Sequence, residues 1–287
     1  MHHVAMPETE DSETYEVYAV KYAENAAPRS RLFLGGDDHN GAMDMDFFVW
    51  ALRGSQTGRV WVVDTGFAES DAQSRGRNLV RPVTDALATV GVDAAVVEDV
   101  IITHLHYDHV GGFAEFPAAR FHLQEKEMAY ATGRHMLHSP FAHAYTGRHI
   151  AQMVMNVHDK RVVFHDGDAA LAEGLSVHLI GGHTLGLQAV RVWTRVGWLV
   201  LASDSSHYYE NMGVGTNDGV VRPFSIVHDV GAMLDGYDRL RQLADDERCI
   251  VPGHDPLVFD RYPVAAAGLE GIAVRLDVVP TEFGGSE

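Results

Sequence analysis

Thr103-His104-Leu105-His106-Tyr107-Asp108-His109 constrains this chain more than any other stretch. It places four metal-ligand side chains within six positions, after Val100-Ile101-Ile102, which has the character of a buried strand, and before Gly111-Gly112. Alternate residues of an extended segment point the same way, so His104 and His106 can grip one ion together. Once the chain turns, Asp108 and His109 can face a second. Three imidazoles and a carboxylate suit zinc, or a neighbouring first-row metal, better than calcium or magnesium. Most of the 18 histidines of the chain are expected to be ordinary surface or core residues. Four ligand types clustered at a strand end are different.

At 287 residues the chain has room for one large domain or two small ones, and 46% apolar residues supply a core. No apolar run reaches the roughly 20 residues that span a bilayer. Met1 to Glu13 is acidic and polar, without the apolar stretch of a signal peptide, and His2-His3 is too short for a tag. The single cysteine, Cys249, excludes an intrachain disulfide framework. It sits in Arg248-Cys249-Ile250-Val251, where it is expected to be a small buried hydrophobe. A cytoplasmic location is the matching expectation. The net charge of −18 opposes nucleic acid or anionic membrane as a partner, since both need clustered Lys and Arg.

Tyr15 to Tyr22 alternates like a strand. Phe47 to Leu52 and Val60 to Val63 are expected to pair through Gly54-Ser55-Gln56-Thr57-Gly58, and Asp64-Thr65-Gly66 closes the second of them. Apolar Leu79, Val80, Val83, Leu87 and Val90 predict a helix from about Gly76 to Val90. Phe121-His122-Leu123 is a further short strand. From Gln124 to about Val157 the chain is rich in Met, His, Tyr and Ala and broken by Gly133, Pro140 and Gly147. This predicts short helices outside the sheet, an insertion near 124–157 serving as a lid or an interface. Leu175 to Ile180, Gln188 to Trp193, Trp198 to Ala202 and Arg248 to Val251 are predicted strands, and Phe224 to Ala244 a helix. Grouped strands with helices between and after them predict an α/β fold, two sheets with helices on the outer faces.

Three more ligand candidates each follow an apolar strand: His183, Asp204 and His254. Loops at strand ends are where a rigid scaffold presents functional groups. Taken singly, each has a plain alternative, a loop histidine or, for Asp204, the cap of a helix from Ser205 to Glu210. Taken together they close a ligand count.

The order His-x-His-x-Asp-His, then His, Asp and His resembles the metallo-β-lactamase superfamily from about Phe47 to Pro256, including the Asp64-Thr65-Gly66 turn and the Gly181-Gly182-His183-Thr184 loop. The resemblance implies a single domain over 1–287, an αβ/βα four-layer sandwich with a dinuclear metal site at one edge of two mixed β-sheets. It implies that His104, His106 and His183 hold one ion, that Asp108, His109 and His254 hold the other, and that Asp204 bridges them. Asp64 is then a residue that orients a ligand. Two zinc ions are the default, and cobalt, manganese or iron fit the same donors.

Within the superfamily the bridging Asp204 argues against a true β-lactamase, and the acidic composition against a transfer-RNA-processing enzyme. Glyoxalase II relatives share the ligands. They carry a helical C-terminal region with basic residues, whereas about 30 residues follow His254 here, with Arg261 and Arg275 as the cations. The chain is most similar to the quorum-quenching N-acyl-homoserine lactone lactonases, whose segment after the bridging aspartate resembles Ser203 to Asn211. Those lactonases commonly place a tyrosine three residues after that aspartate. His207 stands there in this chain, with Tyr208 next, so His207 and Tyr208 are candidates to contact the lactone carbonyl. Asp108 is the candidate ligand and proton carrier to the leaving oxygen. The Met and aromatic residues of the insertion, among them Met128, Tyr130, Met136, Phe141, Tyr145, Ile150, Met153 and Met155, are candidates to line an acyl channel or to pack as core. The expected partner is a small-molecule lactone, with a homodimer plausible. A thioesterase of the glyoxalase II kind and a non-catalytic metal-binding protein are the alternatives.

Overall fold

The computed structural model describes residues 12–35 and 41–283. The acidic N-terminal stretch, His2-His3 included, lies outside them up to Asp11. The strands are β1 (Tyr15–Pro28), β2 (Ala42–Gly54), β3 (Val60–Val63), β4 (Asn78–Leu79), β5 (Asp99–Ile101), β6 (Arg120–Gln124), β7 (Val162–His165), β8 (Ala169–Ala172), β9 (Leu175–Leu179), β10 (Gln188–Thr194), β11 (Gly197–Ser203), β12 (Ile250–Pro252) and β13 (Ala273–Arg275). The helices are α1 (Glu69–Arg75), α2 (Val83–Ala88), α3 (Tyr107–Val110), α4 (Glu125–Ala131), α5 (Ser139–Ala142), α6 (Gly147–His158), α7 (Val230–Leu243) and α8 (Leu257–Arg261).

Two mixed sheets result, as expected. One runs β13-β1-β2-β3-β5-β6-β7, with β4 beside β1, and the other β12-β11-β10-β9-β8. The pairings among β3, β5, β6 and β7 are parallel, as is β11 with β12, and the others are antiparallel. Strand alternation decides the layers. On β1, Val17 and Ala19 face the second sheet, while Tyr18, Val20 and Tyr22 face a separate core shared with α1, α2, α4 and α6. On β10, Arg191 donates to the Leu243 carbonyl at the end of α7, 2.7 Å away. Helices thus cover both outer faces, and each core is continuous.

Three predicted elements are corrected. The helix expected over Gly76 to Val90 is broken: Gly76 adopts φ 64° and caps α1, Asn78-Leu79 pair with β1, and Pro82 precedes α2. Glycine takes that left-handed conformation without a Cβ penalty, so the helix stops there. The helix expected from Phe224 begins at Val230, where Asp229 accepts the Ala232 amide, and Phe224 instead bridges to Phe33. Glu247–Cys249 is a 3₁₀ turn before β12, which leaves Cys249 half-buried rather than inside a strand. The residues after His254 contribute α8 and the edge strand β13.

The parallel strands aim their carboxyl ends at one edge of the sandwich. Asp64 follows β3, His104 to His109 follow β5, Asp204 follows β11 and His254 follows β12, with His183 arriving from the end of β9.

Candidate metal centre

Seven side chains from these loops meet in two sets. His104, His106, His183 and Asp204 have ligand atoms within 4.8 Å of one another, and so do Asp108, His109 and His254. Asp204 faces both: Oδ2 is 3.3 Å from His183 Nε2 and 3.9 Å from His104 Nε2, while Oδ1 is 3.1 Å from His254 Nε2 and 3.3 Å from His109 Nε2. Asp108 stands 3.8 Å from His254 and 3.9 Å from His109. The array joins all seven sequence-level ligand candidates. Asp204 does not cap a helix, because a 3₁₀ turn begins only at Tyr209.

The outer partners set which imidazole nitrogen is bare. His183 Nδ1 donates to the Ile226 carbonyl at 2.6 Å and His254 Nδ1 to the Asp46 carbonyl at 3.0 Å. His109 Nδ1 is 2.7 Å from Asp64 Oδ2, and His104 Nδ1 is 3.2 Å from the Thr103 hydroxyl. With Nδ1 occupied, each ring turns the lone pair of Nε2 into the centre. Among the described residues, His104 Nε2, His109 Nε2 and Asp204 Oδ1 are buried without a hydrogen-bond partner. Buried polar atoms are rarely left so, and a cation between them would satisfy all three. The donor set therefore fits divalent metal.

Thr103 ties the loops together. Its amide and hydroxyl donate to Asp64 at 2.8 Å each, and its hydroxyl meets Ser203 Oγ at 2.9 Å. Asp64 and Ser203 hold φ of 63° and 46°. Non-glycine residues rarely adopt such backbone, and strain of this kind gathers at functional sites. Gly253 has a steric reason: a Cβ there would meet Asp204 Oδ1 at 2.7 Å.

Electrostatics divide the two sets. Burial, reinforced by neighbouring histidines, holds His104 and His106 well below the ordinary imidazole value, and burial takes His183 to about 3. Burial also works to lower His109 and His254, but Asp204 and nearby carboxylates raise both. Burial works to raise Asp204, and His254, His109 and His207 overcome it to hold the carboxyl well below its usual range. The histidines of the first set are neutral near pH 7, while His109 and His254 must shed protons to bind a cation. Metal titration by calorimetry in two buffers of different ionisation enthalpy is expected to show proton release, with affinity rising as the pH climbs above the ordinary imidazole range. Heats that do not depend on the buffer would contradict this.

The lactone-contact candidates separate. His207 enters the cluster: Nε2 lies 2.9 Å from Asp204 Oδ2, and the ring stacks on Phe224 at 3.7 Å. Tyr208 does not line the cleft over the ligands. On extended backbone its side chain points the other way, into the wall of a separate cavity of about 350 Å³ with Asp44, Glu210 and Asp255. The cleft itself, about 120 Å³, is walled by Asn25, Ala27, Leu32, Met45, Phe47 and Ile226. From the insertion near 124–157 only Ala144 reaches it. Tyr130, Tyr145, Ile150 and Met153 are core, Met128, Met136 and Phe141 pack against it, and Met155 is exposed.

Glu127 was not foreseen. Wholly buried in α4, it accepts from the Leu105 and Gly186 amides at 3.0 and 3.1 Å and from the Tyr145 and Thr184 hydroxyls at 2.8 and 2.6 Å. It clamps the loop carrying His104 and His106 to the loop carrying His183. Gly186 is obligatory at this crossing, since a Cβ would stand 2.0 Å from the Glu127 amide nitrogen. An acidic residue in a helical first turn has too many ordinary uses to signal this.

A family model described as the metallo-beta-lactamase superfamily matches residues 48–254. A "probable metallo-hydrolase" of Mycobacterium tuberculosis is 27% identical over 223 residues, 68% of this chain and 67% of the relative. A hydroxyacylglutathione hydrolase of Xanthomonas campestris is 28% identical over 140 residues, 47% and 48% of the two chains. An N-acyl homoserine lactonase of a Bacillus species is 25% identical over 228 residues, 74% and 82%. The crystal structure of a quorum-quenching N-acyl homoserine lactone lactonase superposes with a TM-score of 0.69 at 20% identity, over 87% of this chain and 95% of that one. At that identity the likeness carries the fold alone. Among the described residues no helix is long and apolar enough to cross a membrane.

Proposed function

Since the chain belongs to the metallo-beta-lactamase superfamily and is a metal-dependent hydrolase, we propose that it opens lactone rings, N-acyl-homoserine lactones above all, at a dinuclear site. The observation that carries this reading is Asp204, one carboxylate whose two oxygens serve two complete ligand sets. The likeness to the Bacillus lactonase supports the substrate class. His104, His106, His183 and Asp204 would hold one ion, and Asp108, His109, His254 and Asp204 the other, with zinc the default. Bound there, such ions acidify water and polarise a carbonyl oxygen.

The protein's own groups do the rest. Asp108, at the cleft floor, carries a proton to the departing ring oxygen. His207, fixed by Phe224, presents its ring where charge develops on the carbonyl. Ala27, Leu32, Met45, Phe47 and Ile226 offer an apolar wall to an acyl tail. The insertion near 124–157 belongs to the same single domain and acts through Glu127 as a buttress. A thioesterase is the second reading, favoured by the hydroxyacylglutathione hydrolase match.

The test is proton release from homoserine lactones with short and long acyl tails, using metal-loaded protein, chelated protein and Asp108→Asn. Turnover is expected to vanish on chelation. In Asp108→Asn kcat should fall by about 10²-fold, the low end for general acid–base groups, with KM little changed. Inert lactones beside rapid hydrolysis of a hydroxyacyl thioester would transfer the assignment to the second reading.

A further inference from the structure

We propose that Arg77 binds substrate and selects esters that carry a carboxylate a few bonds from the scissile carbonyl. The proposal rests on the hydrolase reading above and narrows its substrate class. Arg77 lines the same cleft as Asp108, His207 and His254, and it is the one Arg or Lys among the described lining residues. Its Nε donates to the Tyr107 hydroxyl at 2.9 Å, and its guanidinium carbon is 5.9 Å from the Phe47 ring centre. No carboxylate of the described residues stands within ion-pair range of it.

Arg75, Arg161, Arg191 and Arg261 likewise donate to carbonyl oxygens rather than carboxylates, but none of them lines the cleft. With 40 acidic and 22 basic residues, counter-charges are abundant. Arg59 pairs with Asp99, Arg148 with Asp71, Arg239 with Asp168 and Arg275 with Asp277. Arg77 instead donates its Nε–H to the Tyr107 phenol, which leaves its terminal nitrogens without a hydrogen bond among the described residues. A planar guanidinium fork matches a carboxylate in a bidentate way. It is also held in place beforehand. Arg75 stacks on the Tyr107 ring at 3.9 Å and donates to the His143 and Tyr145 carbonyls, fixing the phenol that fixes Arg77. Ordering paid in the free protein is not charged again on binding. Asn25, half-buried in the same wall, forms no side-chain hydrogen bond among the described residues and adds an amide donor. Arg77 and Asp108 line one cleft, so a carboxylate held at the guanidinium belongs to the molecule whose carbonyl meets Asp108.

The metal-loaded enzyme is tested on two matched pairs: N-butanoyl- against N-succinyl-homoserine lactone, and p-nitrophenyl butyrate against p-nitrophenyl hydrogen succinate. Wild type is expected to favour the acidic member of each pair in kcat/KM by about tenfold or more, the scale of a charge-assisted hydrogen bond. That ratio should collapse in Arg77→Gln, recover partly in Arg77→Lys and shrink with added salt. Equal rates within each pair, or a ratio that survives Arg77→Gln, would overturn the proposal. Inert lactones with a selective ester pair would sink the lactone reading and leave Arg77 standing, while lactones opened without charge preference would do the reverse. Should neither pair turn over, calorimetric binding of N-succinylhomoserine decides: tighter binding by wild type than by Arg77→Gln supports the assignment, and equal binding ends it.

Discussion

Asp204→Asn is expected to abolish two-metal binding and to lower kcat/KM by roughly 10³-fold or more, beyond the 10–100-fold typical of outer partners. Both oxygens of Asp204 are committed, Oδ2 towards His104 and His183, Oδ1 towards His109 and His254. An amide keeps the shape but offers one oxygen, carries no charge and turns an NH₂ towards one ligand set. Whichever way the amide flips, one set loses its anionic member and must hold a cation on neutral or weaker donors. Metal content after dialysis, read by elemental analysis, should fall from two ions per chain towards one or none, with the fold intact by circular dichroism. A variant that retains two ions and wild-type turnover would refute the bridging role.

Glu127→Leu should cost about 3 kcal/mol of stability and weaken metal binding by about 10–100-fold. Four buried donors lose their acceptor together, and each unsatisfied donor costs roughly 1–3 kcal/mol. Part of that loss is offset, because burial already raises the Glu127 carboxyl and its desolvation is relieved by removal. The melting temperature should drop by on the order of 10 °C. Glu127→Gln should lose less, since its remaining oxygen still serves Leu105 and Tyr145 and its amide can donate to Thr184. An unchanged melting temperature in Glu127→Leu, with unchanged metal affinity, would reduce this carboxylate to a bystander.

The candidate metal-ligand set is where the chain is most legible. His104, His106, Asp108 and His109 lie within six positions, and strand-end spacing picks out His183, Asp204 and His254 without any model of the fold. The cores were legible in the same way, because Val17 and Ala19 against Tyr18 and Val20 is an alternation that any half-buried strand must show. Local periodicity misled where a single residue overrode it. Leu79, Val83 and Leu87 have helical spacing, but Gly76 in the left-handed region and the pairing of Asn78-Leu79 with β1 split that segment.

By itself, then, the sequence determined which donor atoms exist and that they sit at strand ends, because ligand chemistry and strand alternation are local properties. Three things were decided only by tertiary structure. His207 rather than Tyr208 faces the candidate ligands, Glu127 joins the loops of His106 and His183 from within the insertion, and Arg77 meets the cleft through Tyr107, thirty positions away. Each depends on the direction of one side chain where distant segments cross. That direction follows from the backbone path and from packing against partners remote in sequence, which no local pattern encodes.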